Sequence, residues 1–321
     1  MFRRLFPLLI VLGLLAVPAS ASAVNIRVGI GDQSPAMFAD SNYQSLNLKL
    51  TRYFIEWNAI SQPAELKDAQ TFVSAARARG VKVLMHISTD NINVGKPKLP
   101  SVAAYRKSVG ALIKIFKPQG VTDWGAWNEA NHKSQPTASS PRRAAQFFGE
   151  MRRLCTGCNI VALDILDQAG AERYIASFYK AAGANAARAR IVGIHNYSEV
   201  NRKLTDKRSA ASIRKYPGTR RIIAAVRKAN RSAKFWYTET GGVAALGSAF
   251  PCDPARQASR TQYMFTLAKR FDAYIDRLYS YNWAPTPDCD AARFDAGLVD
   301  TDGSPRPAFA VFKKNMSAFM R

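Results

Sequence analysis

The chain has 321 residues, of which 47% are hydrophobic and 21% are charged. This composition is ordinary for a globular protein with a well-buried core and argues against a low-complexity chain. Lysine and arginine number 46 against 23 acidic residues, so the formal net charge is +23. Such a protein is attracted to anionic polymers such as wall polysaccharide. The basic residues form neither one block nor a nucleic-acid-binding motif, so no specific nucleic acid is expected, and a generally arginine-rich surface is the simpler explanation.

The N-terminus has the organisation of a secretory signal peptide. Two arginines precede an apolar run over 5–17, and small residues follow up to Ala23. A basic start, a short apolar segment and an Ala-x-Ala site are typical of such signals. The run is too short for a comfortable membrane span, and no later stretch approaches one. We predict cleavage after Ala23, with Ala21 as the alternative, and a secreted mature chain over 24–321, extracellular or in the periplasm or cell wall.

The mature chain alternates between apolar, β-branched runs and segments with helical periodicity. Strands are predicted over 25–30, 48–55, 81–87, 121–128, 159–165, 190–196, 234–239 and 277–283. Helices are predicted over 64–79, 101–116, 140–154, 171–182, 213–230, 256–275 and 307–320. Eight strands with helices between them in about 300 residues predict a single (β/α)₈ barrel domain. The alternative is a doubly wound open sheet, but Gly29-Ile30-Gly31-Asp32 lacks the third glycine of a dinucleotide-binding turn.

Catalytic groups of such a barrel lie at the C-terminal ends of its strands. Glu129 follows predicted strand 4 in the string Trp-Asn-Glu-Ala-Asn, and Glu239 ends strand 7 in Trp-Tyr-Thr-Glu-Thr-Gly. Hydrolysis of a glycosidic bond requires at least two carboxylates in one cleft. Other polar or aromatic residues at predicted strand ends are Arg52, Trp57, His86, Asn128, His195, Tyr197 and Trp283.

Several of these side chains have alternative roles. Trp283 offers a flat face for a sugar ring, or else packs in the barrel. Trp57 lines an outer subsite, or else packs. His86, His195 and His132 lack the close spacing of metal ligands, so we expect hydrogen-bonding roles, with His86 contacting substrate, and neither a metal nor another cofactor.

Four cysteines in a secreted chain indicate disulfides, with three possible connectivities. Cys155 and Cys158 are locally spaced, and Cys252 and Cys289 remain. We favour the pairs 155–158 and 252–289, the second of which would join the loops after strands 7 and 8. A redox role for Cys155-Thr-Gly-Cys158 is not expected, because the motif does not begin a helix where a thiolate would be stabilised.

With its Asn-Glu pair on strand 4 and a second Glu on strand 7, the chain resembles the glycoside hydrolases of clan A, which are retaining (β/α)₈ enzymes. The resemblance covers nearly the whole mature chain, although no subfamily is identified. It implies that Glu129 is the acid/base, that Glu239 is the nucleophile and that Asn128 binds the sugar 2-hydroxyl. It also matches the remaining family positions to Arg52, His195, Tyr197 and Trp283.

The sequence therefore predicts a secreted retaining β-glycosidase acting on a poly- or oligosaccharide. The two carboxyls are expected about 5–5.5 Å apart. Arg52 and Tyr197 should keep Glu239 ionised, and that charge should raise the pKa of Glu129. The alternative is a non-catalytic carbohydrate- or polyanion-binding protein on a hydrolase-like barrel.

Overall fold

A computed structural model describes residues 24–90, 97–202, 216, 218–285, 289–290 and 293–320. The predicted signal peptide lies outside the described residues, as does the start of the helix predicted from residue 213.

Nine strands of the described part of the chain form one sheet. They are β1 (Val24–Gly31), β2 (Leu50–Glu56), β3 (Lys82–Ser88), β4 (Asp123–Gly125), β5 (Asn159–Leu166), β6 (Ile191–His195), β7 (Lys234–Thr240), β8 (Ile275–Tyr281) and β9 (Phe319–Met320). The order β2-β3-β4-β5-β6-β7-β8-β1 closes because β1 also pairs with β2. All these pairings are parallel, and the short β9 adds to the beginning of β1.

The described helices connect the strands. They are α1 (Ser41–Ser45), α2 (Pro63–Ala78), α3 (Val102–Phe116), α4 (Pro141–Leu154), α5 (Ala171–Ala182), α6 (Tyr197–Asn201), α7 (Thr219–Ala229), α8 (Pro254–Arg270) and α9 (Pro307–Asn315). The structure is a single-domain (β/α)₈ barrel, which confirms the predicted fold class. No described helix combines the length and the apolar character that crossing a membrane requires.

Three predicted ends are wrong by more than two residues. The helix predicted over 307–320 ends at Asn315, and Phe319–Met320 form β9 instead. The helix predicted to 275 ends at Arg270, so β8 begins at Ile275, two residues before its predicted start. Apolar residues at 271 and 275 continue the helical spacing, which explains the error. Strand β4 ends at Gly125, although the amides of Ala126 and Asn128 still donate to the neighbouring strands.

Large side chains fill both sides of the barrel wall. The main core lies between strands and helices; there Trp127 stacks on Phe147 of α4, with ring centroids 5.0 Å apart. A second apolar cluster fills the barrel interior and comprises Leu50, Leu84, Val161, Trp236 and Tyr279. Residues two apart on a strand share a face, so this layer lies directly beneath Arg52 and His86.

Both predicted disulfides are formed. Cys155 pairs with Cys158, and Cys252 pairs with Cys289, with Cα–Cα separations of 5.6 and 5.5 Å. The second bond joins the loop after β7 to the loop after β8. An antiparallel bridge between Ala245 and Asp295 joins the same two loops. The disulfide and this bridge therefore link the two loops into one wall of the barrel mouth.

A buried ion pair closes the opposite end of the barrel. Arg277 Nη1 lies 2.5 Å from Asp123 Oδ2, and its guanidinium lies 3.8 Å from the ring centroid of Trp236. Removing one partner of a buried pair leaves the other charge without compensation.

We expect Arg277→Ala to lower the free energy of unfolding by about 3–5 kcal/mol, because Asp123 would stay buried and unpaired. Urea denaturation measures this change. The control is Lys234→Ala, which breaks the exposed pair of Lys234 Nζ with Asp276 Oδ1 at 3.4 Å and should cost less than about 1 kcal/mol. Equal losses in the two variants would contradict the role given to Arg277.

Candidate active site

The buried guanidinium of Arg52 lies at the centre of the barrel mouth. Its Nη1 donates to Glu239 Oε2 at 2.7 Å, its Nη2 donates to Asn128 Oδ1 at 2.5 Å, and its Nε donates to His86 Nδ1 at 3.0 Å. One side chain on β2 thereby fixes His86 on β3, Asn128 after β4 and Glu239 on β7. The Asn128 oxygen is occupied, so its amide nitrogen is the atom left to donate.

Glu239, the penultimate residue of β7, is held on both oxygens. Besides the Arg52 contact on Oε2, its Oε1 accepts a hydrogen bond of 3.0 Å from the Tyr197 hydroxyl. Burial and then the charge of Glu239 hold the pKa of Tyr197 well above its usual range, so this hydroxyl remains a donor. The Glu239 side chain is 12% exposed and thus still reaches the cleft.

Glu129 lies in the turn after β4, and its backbone φ of 42° is in the left-handed region. For a residue with a side chain this conformation costs on the order of 1–3 kcal/mol. Backbone bonds on either side hold it: Ala130 N donates to Asp164 O at 2.9 Å, and His132 N donates to Glu129 O at 2.7 Å. Its carboxylate lies against His195, whose Nδ1 is 3.1 Å from Oε1.

The two carboxylates share one site. One ligand-type atom from each of Glu129, His195 and Glu239 lies within 4.8 Å of the other two. Such a trio has the donor types of a metal site. However, the Arg52 guanidinium already neutralises Glu239 at 2.7 Å, and a second cation there would be repelled. Among the described residues, the arrangement suits acid–base chemistry better than metal binding.

Asp164 on β5 is the site residue that the sequence analysis missed. Its fully buried Oδ2 lies 2.9 Å from His195 Nε2, 3.7 Å from His86 Nε2 and 3.9 Å from Arg52 Nη2. Its other oxygen accepts from Thr238. A lone carboxylate inside the apolar string Val-Ala-Leu-Asp-Ile-Leu was the available signal, because buried charges require partners.

The contacts among Asp164, His195 and the two glutamates set the protonation states of His195 and Glu129. Burial lowers the pKa of His195, but the charges of Asp164 and Glu239 outweigh burial and raise that pKa to about 10. Burial likewise favours a neutral Glu129, yet the hydrogen bond and charge of His195 bring the pKa of Glu129 below its usual range. The expectation of a raised pKa for Glu129 is therefore wrong, because it considered Glu239 without the imidazolium beside it.

Glycines in the barrel wall make room for this polar layer. A Cβ on Gly125 would lie 1.6 Å from the ring of His86, and one on Gly193 would lie 1.8 Å from Asp164 Oδ1. His86 is completely buried against the Arg52 side chain, and burial lowers its pKa to about 3. It is thus a neutral acceptor for Arg52 Nε, and its position corrects the expected contact with substrate.

Trp283 and Trp57 both pack against the core, which is the second of the two roles expected for each. Trp283 is 3% exposed and packs edge-on against Tyr43 and Phe309, so it is a packing residue rather than a platform for sugar. Trp57 is half-buried against the core. The residue of β8 that faces the carboxylates is Tyr281, whose pKa is raised by burial and by the charge of Glu239.

Phe294 completes an aromatic wall that the sequence did not reveal. Its ring contacts Tyr197 edge-on at 5.3 Å and lies 6.2 Å from the ring of Tyr281. It directly precedes Asp295, whose strand bridge to Ala245 joins the two disulfide-linked loops. The Cys252–Cys289 wall therefore positions this ring beside the Glu239 site.

Comparison with known proteins gives fold-level similarity. No protein-family model and no curated protein sequence matches the chain. Among solved structures, a family 39 glycoside hydrolase from Bacteroides cellulosilyticus WH2 is similar, with TM-score 0.62 and 16% identity over 91% of this chain and 64% of that one. Xylanase B from Clostridium stercorarium F9 gives 0.60 and 14% over 91% and 99%. A glucosidase from Croceicoccus marinus gives 0.65 and 13% over 92% and 68%.

The chain thus has the barrel fold of glycoside hydrolases, including families 10 and 39. It spans slightly less than two thirds of the Bacteroides enzyme. The expected resemblance to clan A is confirmed at the level of the fold.

A pH measurement tests the network. Because folding raises the pKa of His195 from 6.5 to about 10, its stabilisation is fully present below pH 6.5 and is lost as the pH rises through about 10. We expect the free energy of unfolding to fall between about pH 6 and pH 10 in the parent and to fall less in His195→Asn. The free energy of unfolding is measured by urea denaturation at each pH. An equal change with pH in the parent and in His195→Asn would show that His195 is neutral in the folded protein.

Proposed function

We propose that the protein is a secreted retaining β-glycosidase that cleaves a poly- or oligosaccharide. The observation that carries this proposal is the pair of partly exposed carboxylates, Glu129 and Glu239, held in one cleft by different partners. Their nearest oxygens lie within 4.8 Å, which supports the retaining separation of about 5–5.5 Å over the inverting separation of roughly 6.5–9.5 Å.

Glu239 would be the nucleophile. Arg52 and Tyr197 donate to its two oxygens, which fixes it for attack on the anomeric carbon. The attack forms a glycosyl ester with Glu239 as the bond to the leaving oxygen breaks. The free amide nitrogen of Asn128 would donate to the 2-hydroxyl, where hydrogen bonds strengthen in the transition state.

Glu129 would be the acid/base, and His195 would share its proton. In the free enzyme, one proton lies between His195 Nδ1 and Glu129 Oε1, 3.1 Å apart. Its delivery through Glu129 to the leaving oxygen leaves Glu129 anionic and His195 neutral. In the second step, water attacks the anomeric carbon and gives its proton back to the pair, so the site returns to its starting state.

Location and substrate class are supported separately. The predicted signal peptide and two disulfides are typical of an extracytoplasmic protein. Since similar structures are named as a xylanase and a glucosidase, an activity screen should begin with β-xylans, β-glucans and aryl β-glycosides. Tight binding to these polymers without release of sugar would favour the carbohydrate-binding alternative.

Substitution of the two carboxylates should separate their roles. We expect Glu239→Ala to abolish turnover, because no nucleophile remains, and azide to restore it slowly with a glycosyl azide of inverted configuration. We expect Glu129→Ala to retain its first step on dinitrophenyl glycosides, which need no protonation, and azide to accelerate it with retained configuration. Product stereochemistry is measured by NMR.

Opposite stereochemistry in the two products would reverse the assigned roles. Unchanged activity in either variant, on a substrate that the parent hydrolyses, would contradict the mechanism.

Asp164 is a positioning residue in this mechanism. Asp164→Asn removes the charge that keeps His195 protonated, so the His195–Glu129 pair should lose its proton at lower pH. We expect kcat/KM to fall by about ten- to a hundredfold. The alkaline limb of its pH profile should move to lower pH.

The matched control for Asp164→Asn is Asp167→Asn. Asp167 is also buried near the end of β5, but it accepts from the backbone amides of Ser198 and Glu199 rather than from His195 or Arg52. Its substitution should affect stability and leave the alkaline limb in place. An unmoved limb in Asp164→Asn would show that Asp164 only supports the fold.

A further inference from the structure

The charge of the protein is divided unevenly between the two ends of the barrel. In a (β/α)₈ barrel, helices run antiparallel to strands, so every helix ends at the face where the strands begin. We call this end the N-terminal face; it is opposite the mouth that contains Glu129 and Glu239. Each of the seven described helices longer than five residues carries lysine or arginine in its last turn.

Further exposed cations lie in the connections that enter the strands. At the N-terminal face they are Lys49, Arg79, Lys82, Lys117, Arg188, Arg190, Arg231 and Lys234. A basic residue in a last turn is favoured by the helix dipole. Arg79, Lys117 and Arg188 of the second set also lie at helix ends. The other five do not, so the helix dipole alone does not account for the charge of this face.

Acidic residues are scarce at the same end. The described strand beginnings and the turns that enter them contain Asp123, Asp272 and Asp276. Asp123 is buried on Arg277, and Asp276 pairs with Lys234. Most other acids lie around the opposite mouth: Asp32, Asp40, Glu56, Asp90, Glu129, Asp167, Glu199, Glu239, Asp253, Asp290, Asp295, Asp300 and Asp302. Among the described residues, the excess of positive charge is therefore concentrated on one face.

We propose that the N-terminal face binds an anionic polysaccharide and holds the protein on it with the catalytic mouth directed away. Attraction over such a face raises the local concentration of a polyanion and depends on ionic strength. The cleft stays open because the two faces lie at opposite ends of the barrel.

The surface chemistry favours a polysaccharide over a nucleic acid or a lipid bilayer. Among the described residues, the exposed large hydrophobic side chain is Leu246, in the loop after β7 at the other end. Nothing comparable at the N-terminal face would insert into a bilayer. Tyr274 is half-buried there with the Arg227 guanidinium 5.2 Å from its ring centroid, so it offers no free platform for base stacking. A hydrophilic chain with repeated carboxylates or sulfates needs only dispersed cations.

The test uses the full chain, polygalacturonate as the probe and fully methyl-esterified polygalacturonate as the uncharged control polymer. The test variant carries Arg188→Gln, Arg190→Gln, Lys228→Gln and Arg231→Gln, around the entries to β6 and β7. The control variant removes four exposed charges nearer the mouth: Lys67→Gln, Arg142→Gln, Arg173→Gln and Arg220→Gln. The two variants have the same net charge, and thermal unfolding verifies that both are folded.

We expect the parent to bind polygalacturonate with an affinity that falls as salt rises, and the esterified polymer to bind weakly. The test variant should bind about tenfold more weakly with a shallower salt dependence, whereas the control variant should change by less than about twofold. Equal weakening in both variants would show that net charge, rather than this face, controls binding. Tighter binding of double-stranded DNA or of phosphatidylserine vesicles under the same conditions would overturn the choice of polysaccharide. These readouts are independent of hydrolysis.

Discussion

The architecture of the site depends on the burial of one positive charge. Burying an arginine is costly unless carboxylates compensate its charge, and the Arg52 guanidinium lies 3.9 Å from Asp164 and 2.7 Å from Glu239. The same guanidinium orients Asn128 through its amide oxygen. Side chains on or directly after five strands thus meet at one cation, and Glu239 gains a fixed position. A barrel interior filled only by aliphatic side chains would have supplied no such orientation.

The sequence analysis identified the site residues that lie at the ends of strands. It missed those whose position depends on the register between neighbouring strands. Glu129, Glu239 and Arg52 were found because a barrel brings strand ends together. Asp164 was missed because a shift in β5 pairing places it on the same inner face as Val161, three residues away, which simple alternation does not predict. The sequence analysis chose Trp283 instead of Tyr281 as the site residue of strand 8. An error of two residues in the position of this strand keeps the predicted face of a side chain and changes its depth in the barrel.

The pKa of Glu129 illustrates a different limit. Residue spacing indicated that two carboxylates would meet, and like charges alone would raise one pKa. The opposite shift arises because the negative charges of Asp164 and Glu239 together keep His195 protonated. This pKa depends on three side chains from three strands, so no local sequence pattern predicts it. It becomes visible only when distances between their atoms are known.

The left-handed backbone at Glu129 has a consequence for how this protein tolerates change. Glycine adopts that conformation at little cost, whereas glutamate does not. A glycine at position 129 would therefore relieve backbone strain while removing the proposed proton donor. Selection for thermal stability alone would drive the chain toward an inactive protein at this position. The site thus trades stability for function, and stabilising substitutions are better sought in the helical shell.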